Sequence, residues 1–115
     1  MYQFSYAEIH EDTPKQARER EHDAIRRSIE LLEAAERAGP RSAEAVEALL
    51  FVQRLWTVFI EDLSQPTNEL PGKLRADLIS VGIWILKEVE DIRFERSRNF
   101  RAIIEISDVI AEGLK

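Results

Sequence analysis

Apolar residues recur along most of this chain with the period of a helix. In the first long segment Ile25, Ile29, Leu32 and Ala35 follow one another at steps of three and four, with Ala17 on the same face two turns earlier. That spacing buries one stripe of a helix and leaves the remainder to water. Thr13, Pro14 and Gln16 read as N-cap, first helical position and capping-box partner. Gly39 and Pro40 supply the stop, so the pattern predicts a helix over about 14–38. Its outer face is charged, with Arg26–Glu30 and Glu33–Arg37 spaced to pair along the surface.

The second segment differs. From Ser42, a suitable cap, a helix is predicted to about residue 64, and from Ala48 to Leu63 almost every position is apolar. Polar Glu47, Arg54 and Glu61 recur every seven positions and mark one thin solvent stripe. A helix apolar nearly all round sits at the centre of a bundle or offers a face to something else. The break at Gln65-Pro66-Thr67-Asn68 precedes a third helix, predicted over about 71–96, with Leu74, Leu78, Val81, Ile85, Val89 and Ile92 on one stripe. Ile79, Trp84 and Leu86 lie outside it, and Gly82 in its interior allows a neighbouring helix to approach closely. Asn99 can cap a last helix to about residue 113, carrying Ile103, Ile106, Ile110 and Leu114 flanked by Ile104 and Val109. The expected fold is a single all-α domain over 1–115: a compact bundle of about four helices behind an extended aromatic N-terminal tail.

Composition narrows the class. The 115 residues suffice for a core without staples, and there is no cysteine for disulfide or thiol chemistry. The start MYQFSYAEIHED lacks the basic and apolar regions of a secretory signal. The most apolar run, LISVGIWIL over 78–86, is nine residues, well below the roughly 20 that span a bilayer. A cytoplasmic protein without a membrane partner is expected. The net charge of −6 disfavours nucleic acid, whose phosphates call for a cationic surface. The excess acid lies in residues 1–13 and 42–65, while 15–37, 71–96 and 97–115 each balance.

Candidate chemistry is sparse. Glu19 and His22 have the spacing of a helical di-iron ligand pair, but the site needs a second copy, and Ala7 stands three residues before His10, the only other histidine. Arg18 and Arg26 flank His22 and oppose a metal, so a solvated histidine is expected and no metal or cofactor. Isolated glycines make no phosphate loop, and there is no Ser-His-Asp set. Enzymatic activity is not expected. Arg18, Arg20, Arg26 and Arg27 form the densest basic patch, interleaved with Glu19, Glu21 and Asp23 as in a salt-bridged solvent face. Trp56 and Trp84 each sit in the most apolar part of a helix, either as core or as the floor of a partner groove.

MYQFSYAEIHED, RERE-x-x-AIRRSIELLEAA, ALLFVQRLWTVFIEDL, LRADLISVGIWILKE and NFRAIIEISDVIAEGL, in that order and across essentially the whole chain, resemble the alphaproteobacterial flagellar biosynthesis regulators of the FlaF family. The resemblance implies a cytosolic protein required for flagellin production and export, with no enzymatic activity, working beside the RNA-binding repressor FlbT. It leaves two routes open: a flagellin chaperone for type III secretion, or a post-transcriptional regulator of flagellin mRNA acting through RNA or FlbT. The apolar second helix also leaves self-pairing as a homodimer open. An acidic body with spare apolar surface favours the chaperone, with flagellin as partner.

The residues expected to meet that partner are Tyr2, Phe4, Tyr6, Phe51, Trp56, Phe59 and Trp84. The tail could equally dock on its own bundle. Ordering residues 2–9 costs about 8–16 kcal/mol in backbone entropy. Burying Tyr2, Phe4, Tyr6 and Ile9 contributes about 6–12 kcal/mol. The ranges overlap, so either a plug near the start of the first helix or a hook that orders on a partner is consistent with the residues.

Overall fold

The structure, a computed structural model, describes residues 14–114. It contains four helices: α1 (Pro14–Ala38), α2 (Ala43–Leu63), α3 (Gly72–Arg93) and α4 (Phe100–Gly113), with no strand among the described residues. Local chemistry sets most of these ends. At Gly39 φ is +105°, which glycine adopts without steric cost, and its N–H donates to the Ala35 carbonyl to close α1. The Ser42 hydroxyl accepts from Ala45 N at 3.0 Å and opens α2. The Asn99 side chain accepts from Ala102 N at 3.1 Å and opens α4.

The start of α3 lies where the pattern puts it, and its end departs from the pattern. Pro71 stands in the cap position and α3 begins one residue later, at Gly72. At its other end α3 stops at Arg93 although the helical pattern continues to residue 96. Glu95 enters the left-handed region, with φ +62°. Arg96 N then donates to Asp91 O at 2.8 Å and Glu95 N to Ile92 O at 3.1 Å, the two bonds of a Schellman motif. The 64–71 connection is also tied down: Arg75 Nη1 donates to Gln65 O at 3.1 Å, and Asn68 Nδ2 donates to both the carbonyl and the carboxylate of Asp62.

α1 packs against α2 on one side and α4 on the other, and α2 packs against α3. The fourth contact of a closed bundle, α3 with α4, is slight. The buried stripes meet in one core containing Ile25, Leu32, Trp56, Ile85, Ile92, Phe100 and Ile103. Between α2 and α3 the approach is closest at Gly82, where the Trp56 ring and the Ile60 side chain occupy the space a Cβ would take. Because α3 and α4 hardly touch, the outer flanks of both keep apolar residues at the surface.

Candidate functional site

Leu78, Ile85, Val89 and Ile92 are buried along α3, yet Leu74 is 41% exposed and Trp84 is 40% exposed, with Val81 half-buried between them. Steps of seven and three put Leu74, Val81 and Trp84 next to one another along the helix. On the α2 side of the buried stripe stand Gly82, against Trp56, and Leu86, which with Val89 faces Gln53 and Thr57. Val81 and, further round, Trp84 lie toward the opposite edge, the one that a tightly packed α4 would cover, while Leu74 lies on the stripe itself in the first turn of α3. On the flank of α4 beside its buried stripe Ile106 is half-buried. Apolar surface of this kind, framed by charged residues such as Asp77 and Lys87, suits the apolar face of another helix.

A second apolar feature lies between α1 and α2. A cleft of about 450 Å³ is walled by Ala17, Ala24 and Ile25 from α1 and by Leu55, Val58 and Phe59 from α2. Arg20, Glu21 and Asp62 stand around it. Burial raises the Glu21 carboxyl above its ordinary value, and the negative charge of Asp62 adds to the effect; Arg18 and Arg20 act in the opposite direction. The cleft therefore has apolar walls and an acidic edge.

Among the described residues, the four expected to meet a partner are not gathered in one place. Trp56 is 0% exposed and Phe59 is buried beside it, their ring centroids 5.1 Å apart, so both belong to the core. Trp56 is thus a core residue and presents no surface to a partner. Phe59 reaches the cleft from within as part of its wall. Phe51 is half-buried and continues the Leu55–Val58 line of α2 by one turn. Trp84 alone of the four lies on the α3 edge. Tyr2, Phe4 and Tyr6 lie outside the described residues. Leu55 and Val58 join these surfaces without having been named as partner residues, since both belong to an apolar run in which position alone does not tell inside from outside; Leu74, expected on the buried stripe, stays 41% exposed.

The charged residues are largely engaged with one another. Arg26 does not pair with Glu30 along its own helix but crosses to α4, with Nη1 2.6 Å from Asp108 Oδ1 and Nη2 3.0 Å from Glu112 Oε2. Glu30 pairs with Arg27 at 3.2 Å instead, and Glu36 pairs with Arg101 of α4. His22 is half-buried, contrary to the expectation of a solvated ring: Nδ1 lies 3.4 Å from Asp23 Oδ1 and Nε2 is buried without a hydrogen-bond partner. No three His, Asp or Glu residues come together as metal ligands among the described residues.

No described helix is long and apolar enough to cross a membrane. No curated protein and no solved structure matches the chain. The family model for flagellar protein FlaF matches residues 2–114, nearly the whole chain, and the chain therefore belongs to that family.

Proposed function

We propose that this flagellar protein is a cytoplasmic, non-enzymatic biogenesis factor that binds flagellin and promotes its synthesis and export. In this reading it shields an apolar helical face of the unassembled subunit, as a secretion chaperone does. The observation that carries it is the α3 edge, where Leu74 and Trp84 stay about two-fifths exposed because α4 does not close over them. A half-exposed tryptophan on an apolar line is the kind of anchor that contributes most to protein–protein affinity. The alternative route through RNA draws less support, because Arg26 of the basic patch is already held by Asp108 and Glu112.

The test is light scattering and calorimetry on the chain mixed with its cognate monomeric flagellin. A complex of defined stoichiometry that survives nuclease is expected. Trp84→Ala should weaken it about tenfold or more while helix content stays unchanged. Ile83→Ala, an exposed residue off the Leu74–Trp84 line, should leave affinity as it is. Absence of any complex would end the flagellin reading; equal affinity in the Trp84 variant would remove the α3 edge from it.

A further inference from the structure

We propose that the cleft between α1 and α2 is the seat of the chain's own aromatic segment, residues 2–9, docked within the same molecule. This goes beyond flagellin binding and does not depend on it.

The position of the cleft is the first argument. Its α1 wall begins at Ala17, one turn inside Pro14, and its α2 wall runs to Asp62, the last turn of α2. The two helices run antiparallel through a short link, so the cleft lies at the end of the bundle where residues 1–13 enter α1. Reach is the second. The α1 wall from Ala17 to Ile25 is about 12 Å long at the rise of a helix. Tyr2 to Tyr6 in extended form spans about 13 Å, and Tyr6 to Thr13 adds up to about 23 Å for the return. The aromatic segment thus matches the cleft in length, with enough chain left to turn back.

The third argument is side-chain pattern. Tyr2, Phe4 and Tyr6 occupy alternate positions, so an extended backbone turns all three rings to one side. That side meets Leu55, Val58 and Ala24, which are apolar and accessible from the surface. Polarity decides which part enters: the walls are apolar and the charged groups Arg20, Glu21 and Asp62 stand at the edge, so the uncharged aromatic stretch goes in and Glu8, Glu11 and Asp12 stay with the charged edge and the solvent. The α3 edge is the competing seat, but α1 does not pack on α3, whereas α1 itself forms one wall of the cleft.

The chain has no cysteine, which allows a direct test. Full-length protein carrying Tyr6→Cys with Val58→Cys, at low micromolar concentration under mild oxidation, should form an intramolecular disulfide at least about tenfold faster than the Tyr6→Cys, Ile83→Cys control. Equal rates in the two pairs, or a product that is chiefly intermolecular, would overturn the proposal. Amide hydrogen exchange gives a second reading. In the full-length Tyr2→Ser, Phe4→Ser, Tyr6→Ser variant, exchange should speed up over residues 17–25 and 55–62 and stay unchanged along α3. Unchanged exchange at the cleft would equally overturn it.

Discussion

Gly82 of α3 lies so close to Trp56 of α2 that a Cβ built on it would stand 2.6 Å from Cε3 of the indole, with Ile60 Cδ1 at 2.9 Å. Carbon atoms do not approach so near, and the Trp56 ring, with no exposed surface, has nowhere to move. Gly82→Ala improves helix propensity by about 1 kcal/mol at an ordinary interior site. Here the methyl must push α2 and α3 apart, at a cost in the upper part of the overpacking range, about 2–3 kcal/mol. The expected result is a net loss of about 1–2 kcal/mol by urea unfolding. Pairing it with Trp56→Leu should recover part of that loss as a coupling energy above about 0.5 kcal/mol. An alanine variant as stable as the parent would refute the close-packing account.

This same contact explains what the sequence could and could not disclose. The four helices, and the caps at Gly39, Ser42 and Asn99, follow from local rules that each residue obeys alone. The two tryptophans do not: both sit in runs that are apolar on nearly every side. Trp56 goes inside because α3 offers it a position with no side chain. Trp84 is two residues beyond that glycine, about 200° further round the helix, and so turns away from α2. The partner of Arg26 was equally hidden, because Glu30 satisfies the local spacing while Asp108 and Glu112 are neighbours only in the fold. The end of α3 was hidden because a left-handed stop is recognised in sequence by glycine, and this one is built on Glu95.

Glu95 itself gives a prediction. A non-glycine residue at φ +62° costs about 1–2 kcal/mol relative to a relaxed backbone. Its carboxylate meets Arg41 at 2.5 Å, but both side chains are well exposed and the pair offsets little of that cost. Glu95→Gly should therefore stabilise the fold, by about 0.5–1 kcal/mol after the greater freedom of the unfolded glycine is counted. Glu95→Val, branched at Cβ, should destabilise it. The order Gly above Glu above Val in urea midpoints is the check, and the reverse order would contradict the strained stop.

Arg26 should report on the α1–α4 seam. It joins two acids of α4 while remaining partly exposed, which places the interaction near the upper end of surface pairs, about 1 kcal/mol. Arg26→Met keeps most of the packing of the stem and removes the charge. The variant should lose about 0.5–1 kcal/mol at low ionic strength and approach the parent near about 1 M salt, where screening removes the term. Arg27→Met, whose pair with Glu30 lies within α1, should cost less under the same conditions. A loss that does not respond to salt would assign the role of Arg26 to packing and not to charge.

The cleft carboxylate sets the pH dependence. Burial, reinforced by Asp62, raises the pKa of Glu21 in the folded chain above the ordinary 4.5. A raised carboxyl means that the folded state holds the proton more tightly than the unfolded state, so ionised Glu21 opposes folding. That penalty is absent below the ordinary value, grows as pH rises toward the folded value, and is complete above it. Glu21→Gln keeps the size of the side chain and removes the titration. Its melting temperature should exceed the parent's at about pH 7.5, and the difference should shrink toward zero as the pH falls to about 4. Asp62→Asn should capture only part of the gain, since it lifts the repulsion and leaves the burial. If the Gln variant melts below the parent at about pH 7.5, or the difference is flat with pH, Glu21 is not held in the desolvated position that the cleft gives it.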